Sequence, residues 1–288
     1  MLEKDENKET NEVLKEMYDM LKISWNDFVV CGYEYFGDPG IWSKIDPMKY
    51  LEFAKLGLMD TTEAGLINSL TNAKRAIDAQ IDIIISFLGY DYKKFNNKNT
   101  KNYIKENFDN IESNGITEKI KLLNILGLAP TLLLSKIRKL RNYVEHEYKT
   151  PEELQVKEAI EVAELFINAS NKKINITNSS ILFGSKYYAY KSGDYDYLGL
   201  NPSYIFLEFL EEKYFNIVCV NNNKNKDGAI CIPYSRDSGG NYSYKIFCED
   251  KLYPLLLEVI FNYRYSLLPH IFGVEIEERF VKYKRSDY

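Results

Sequence analysis

Arg138, Lys139, Arg141, Asn142, Glu145, His146, Glu147 and Tyr148 lie within eleven consecutive residues of a 288-residue chain that contains only two histidines. These types suit chemistry on phosphate. Arginine presents planar, permanently charged donors that match phosphate oxygens. Histidine titrates near neutrality and can move a proton. Asparagine can orient a histidine, a phosphate oxygen or a ribose hydroxyl. In RNA the 2′-hydroxyl is a built-in nucleophile, so an arginine–histidine site can cleave the backbone with no metal and no cofactor.

Spacing constrains how such a site would assemble. Each helical residue advances about 100°, so Asn142 and His146 share a face whereas Arg141 and His146 stand about 140° apart. Arg138 and Arg141 flank the Asn142–His146 face, and Ile137, Leu140 and Val144 point to the core. For Arg141 and His146 to meet one phosphate, the helix must end early or a second copy must complete the site. A single histidine does not easily serve as both base and acid in one turnover. The other one, His270, follows Leu267-Leu268-Pro269 and has no partner motif. A homodimer would supply two histidines and two arginines. The same residues also suit an ordinary solvated helix end, where the helix dipole favours a histidine.

The surrounding pattern indicates what positions these residues. Val13, Met17, Met20 and Leu21 predict a helix over 9–30. Leu66, Leu70, Ala73, Ile77, Ile81, Ile84 and Leu88 mark the buried stripe of a helix over 60–88, with Gly89 as its stop. A polar loop over 93–101 precedes helical patterns near 102–109 and 117–127. Ala129-Pro130 opens a helix from Thr131 to near Tyr148, and Thr150-Pro151-Glu152-Glu153 reads as a capping box for a helix ending near Asn171. After Asn171 the chain is rich in β-branched and aromatic residues broken by turn signals. NIVCVNNNKNKDGAICIPY reads as a hairpin, and YIFLEFLEEKYF and YPLLLEVIFNYRYSLL as helices between strands. The tyrosines of 187–197 suit sheet packing more than base stacking. The expectation is an α+β multi-domain chain: an N-terminal helical extension over 1–48, an all-α bundle over 49–171 and a mixed α+β domain over 172–288.

The net charge of −5 argues against a general nucleic-acid coating role, which relies on neutralising many phosphates. Residues 131–150 are nevertheless a basic island, with Lys136, Arg138, Lys139, Arg141 and Lys149 against Glu145 and Glu147. Arg138 and Lys139 are its candidates for binding RNA phosphates. The charged N-terminus lacks the apolar region of a signal peptide, and the apolar runs are too short to span a bilayer, so the expected location is cytoplasmic with no membrane partner. Cys31, Cys219, Cys231 and Cys248 are scattered without a CxxC pair, which argues for reduced thiols and against zinc.

Arg141-Asn142-x-x-x-His146-x-Tyr148, in its helical frame, resembles the R-x4-6-H motif of the HEPN superfamily, in particular the R-x4-H-x-Y form of HEPN toxins. The resemblance covers roughly residues 49–171. It implies a HEPN-like helical bundle acting as a metal-independent endoribonuclease, with its site formed across a homodimer, in a toxin–antitoxin or antiphage defence role. Carried over, Arg141 binds and stabilises the phosphate, His146 is the acid/base residue and Asn142 orients the site. Tyr148 supports it, and is the position modified in toxins silenced by a separate nucleotidyltransferase antitoxin. The partners so implied are an RNA substrate, a second copy of the chain and a separate antitoxin or regulatory protein. The N-terminal extension and the domain beyond about residue 172 lie outside a minimal HEPN toxin. The alternative is a non-catalytic HEPN-like scaffold that binds a nucleotide or a protein partner.

Overall fold

The computed structural model describes residues 10–37, 46–60, 62–108, 116–185, 203–221 and 242–286. In chain order these form α1 (Thr10–Leu21), β1 (Phe28–Tyr35), α2 (Pro47–Met59), α3 (Glu63–Phe87), α4 (Lys98–Asn107), α5 (Glu118–Ile125), α6 (Thr131–His146) and α7 (Glu153–Ile176). Then follow β2 (Asn178–Ser185), β3 (Ser203–Phe209), β4 (Phe215–Asn221), β5 (Tyr242–Ile246), α8 (Tyr253–Asn262), α9 (Leu268–Ile271) and β6 (Tyr283–Ser286). The protein is α+β, and it divides into a helical unit, Phe36–Ile176, and a second unit built from Met1–Tyr35 and Thr177–Tyr288. None of the helices among the described residues is long and apolar enough to cross a membrane.

In the helical unit α3 is the central element. Its predicted stripe is buried at Leu70, Ala73, Ile77, Ile81 and Ile84, but Ala76, Ala79, Ile83, Ile85 and Phe87 are buried too, because α2, α5, α6 and α7 all pack on it. Thr62 caps its start by accepting from the Gly65 amide at 3.1 Å, and Gly89 follows its end with φ 85°. The corner with α2 is tight: Ser69 donates to the Ala54 carbonyl at 2.5 Å. Buried Gln80 ties α3 to α7 by donating to Ser170 Oγ at 2.9 Å and Asn171 Oδ1 at 2.7 Å. α7 buries Val156, Ile160, Ala163 and Ile167 as its spacing predicts.

The caps differ in detail from the sequence pattern. α7 starts at Glu153, and it is Gln155 whose side chain reaches back to accept from the Glu152 amide at 3.1 Å. The capping arrangement thus sits two residues later than Thr150 and Glu153 suggest. α7 also runs five residues past Asn171. α4 begins inside the stretch expected to be loop, because Asn97 accepts from the Thr100 amide at 2.9 Å and caps it.

The second unit is a six-stranded sheet among the described residues, ordered β5-β4-β3-β2-β1-β6, antiparallel except for the parallel β1–β6 pair. Its composition corrects the expected division of the chain. The helix predicted over 9–30 ends at Leu21, followed by Lys22 at φ 47°, and residues 28–35 are a strand. Phe28-Val29-Val30-Cys31 is buried on both sides of the pleat, a continuous apolar run rather than a helical stripe. Residues 28–35 therefore supply an interior strand to the sheet rather than continuing a helical extension.

The stretch YIFLEFLEEKYF is likewise not a helix. It forms β3, a turn with Lys213 at φ 67°, and the start of β4. Burial alternates along both arms, with Leu207, Phe209, Phe215, Ile217 and Cys219 buried. Cross-strand packing overrides the helix propensity of Leu-Glu-Glu-Lys. The first arm of the predicted 216–234 hairpin lies in β4; its second arm, like the tyrosines of 187–197 and Cys231, lies outside the described residues. The helix read in YPLLLEVIFNYRYSLL is present as α8, ending at Tyr263 in the left-handed region.

Candidate functional site

α6 carries every residue of the candidate site except Tyr148. Leu134, Ile137 and Val144 are buried, and Arg141 occupies the next place in the same three-and-four spacing. It is therefore half-buried rather than on the polar edge. Its Nε is buried without a hydrogen-bond partner, and its guanidinium is ion-paired with Glu145 one turn on. An unpartnered buried donor is costly in a folded protein.

Arg138, three residues earlier, faces Asp78 of α3 at 3.4 Å, and Asp78 is also paired with Lys74. Lys139 is exposed, and Lys136 bridges to Glu158 of α7 at 2.5 Å. Of the two residues expected to bind RNA phosphates, Lys139 stands at the surface and Arg138 is already held by a carboxylate.

Asn142 and His146 lie exposed on one face, as four-residue spacing demands, and their side chains make no hydrogen bond, ion pair or ring contact among the described residues. His146 is the last helical residue. The Glu147 amide closes the final turn on the Tyr143 carbonyl at 2.9 Å. The helix is regular through His146, so it does not end early enough to swing the histidine toward Arg141. The single chain sets Asn142 and His146 on one exposed face but leaves Arg141 paired with Glu145.

Tyr148 follows in the left-handed conformation, φ 52°, and is 94% exposed. Its side chain is therefore not packed into the described residues. It is open to a partner or a modifying enzyme. Beside it, Lys149 lies 4.8 Å from the centroid of the Tyr143 ring and donates to its hydroxyl.

His270 is exposed on α9 in the other unit. Sequence reasoning missed the carboxylates that hold the arginines. The Arg141–Glu145 and Lys74–Asp78 pairs follow the four-residue helical rule and were legible; Arg138–Asp78 is a tertiary contact and was not. Comparison with protein-family models, with curated proteins and with solved structures gave no match.

Proposed function

We propose that the protein is a metal-independent endoribonuclease of HEPN type, acting as a toxin or antiphage effector, with its site completed by a second copy of the chain. The observation that carries this reading is the combination on α6 of an exposed Asn142–His146 face at the helix end with a half-buried Arg141 whose Nε lacks a partner. One His146 imidazole accepts the proton of a ribose 2′-hydroxyl, and the oxygen attacks the adjacent phosphorus. The 5′-oxygen leaves with a proton from the His146 of the second copy. The products are a 2′,3′-cyclic phosphate and a 5′-hydroxyl, with Arg141 neutralising charge on the phosphoryl oxygens. Asn142 orients the histidine, and exposed Lys139 guides the strand.

The test is cleavage of a labelled RNA by purified full-length protein in excess EDTA. His146→Ala and Arg141→Ala are each expected to lower the rate at least 100-fold (about 10²–10⁴ for a general acid/base group) while circular dichroism stays unchanged. Undiminished cleavage by either variant would refute the assignment. The second reading, a non-catalytic HEPN-like scaffold binding a nucleotide or protein partner, is favoured by the Arg141–Glu145 pair, which occupies the cation a substrate would need. It predicts no cleavage of any RNA and ligand binding that is lost on Arg141→Ala.

A further inference from the structure

A cleft of about 430 Å³ opens in the helical unit between α3, the 90–97 segment, α4, the start of α5, and α6. That volume falls within the range of small-ligand sites, about 300–1,000 Å³. Three carboxylates line it, and each already has a cation: Asp78 faces Arg138, Asp82 pairs with Lys119 at 2.6 Å, and Glu118 pairs with Lys121 at 2.9 Å. Lys93 and Lys101 line the same cleft with no carboxylate against them among the described residues. Among the described residues the Lys101 ammonium donates only to Asn96 Oδ1, at 2.7 Å. The Thr117 side chain leaves the first amides of α5 uncapped at the rim. The net local charge therefore suits an anion.

The same cleft also has a braced aromatic wall. Phe95 is half-exposed and packs edge-on to Tyr90, ring centroids 5.4 Å apart, while Thr100 donates to the Tyr90 hydroxyl at 3.1 Å. Asp91 accepts from the amides of Lys93 at 2.8 Å and Lys94 at 3.2 Å, which orders the turn that presents Lys93. A fixed ring beside two unneutralised ammonium groups is the chemistry of a base and its phosphate.

We infer that this cleft binds one phosphate-bearing nucleotide unit, with its base on Phe95 and its phosphate between Lys93 and Lys101. Arg138 reaches it from α6, eight residues or about 12 Å along the helix from His146. The unit is either a free mononucleotide or a residue of a bound RNA strand, and neither depends on cleavage at His146.

The test uses full-length protein. Calorimetry measures 5′-AMP binding, and fluorescence anisotropy measures a labelled single-stranded hexa-adenylate on a His146→Ala background that leaves the oligonucleotide uncut. Against these, Lys93→Glu with Lys101→Glu is expected to raise Kd more than tenfold and Phe95→Ala at least fivefold. For the oligonucleotide the double variant should also flatten the slope of log K against log salt by about 0.7, the loss of one phosphate contact. AMP binding weakened by the variants identifies a free-nucleotide site; an effect on the oligonucleotide alone identifies a subsite for the RNA strand. If neither ligand is affected, with thermal melting unchanged, the inference is overturned. Loss of cleavage in His146→Ala with intact cleft binding would separate this result from the catalytic reading.

Discussion

Arg141 is ion-paired with Glu145, and in the proposed site this pair would compete with an incoming anion. Both side chains are partly open to solvent, so their attraction is modest, about 1 kcal/mol or less. Glu145→Gln removes the competitor for the guanidinium while keeping the shape. RNA affinity is therefore expected to rise about two- to fivefold, read as a lower KM with kcat little changed. Unaltered or weaker binding would mean that Glu145 positions Arg141 rather than competing for it. The thiols behave differently. Burial pushes Cys219 up to about 11, and burial followed by the Glu249 carboxylate pushes Cys248 to about 11. A raised value keeps the proton on sulfur, so at pH 8 only about one thiol in a thousand is thiolate. Iodoacetamide at pH 8 should leave both unlabelled in native protein and label both in guanidinium, as peptide mass spectrometry can check.

Packing at the level of elements turns on close approach. A Cβ on Gly65 would sit 2.1 Å from the Asp60 carbonyl oxygen and 2.9 Å from that of Gly57, both backbone atoms. Gly65→Ala must therefore shift the α2–α3 corner and is expected to cost about 1–3 kcal/mol, lowering the melting temperature by ~2–4 °C for each. A thermal melt by circular dichroism checks it. Gly32 is the counterpart in the sheet: its Cβ would meet the Asn178 side chain at 2.5 Å, where β1 and β2 slip register and Asn178 donates to the Glu34 carbonyl at 3.3 Å. Nothing in the local sequence around either glycine names the atom it must avoid. These constraints belong to pairs of elements.

At the scale of the whole molecule the proposed site needs two copies, one histidine as base and the other as acid. Mixing wild type with His146→Ala should then lower activity as the square of the wild-type fraction, provided the subunits exchange. An equal mixture would retain about a quarter of the cleavage rate rather than half. A linear dependence would assign both proton transfers to one chain. The acidic chain as a whole makes long-range attraction of RNA weak, so the proposed recognition would fall to local groups such as Lys139 and the two cleft lysines that face no carboxylate among the described residues.

Helical periodicity alone determined the central helix, the α6 frame and the shared face of Asn142 and His146, because those relations are local and repeat every three to four residues. It placed Leu70, Ile77, Ile84, Val156 and Ile160 in the core, where they are buried. Only the tertiary structure decided that residues 28–35 pair with Asn178–Ser185 and Tyr283–Ser286, more than 140 positions away. Strand partners are set by long-range hydrogen bonding, which leaves no mark at fixed spacing. For the same reason Arg138 meeting Asp78, and Lys93, Phe95 and Lys101 converging on one cleft, were invisible until the helices packed. The sequence named the chemical groups on α6; packing decided which were free to act.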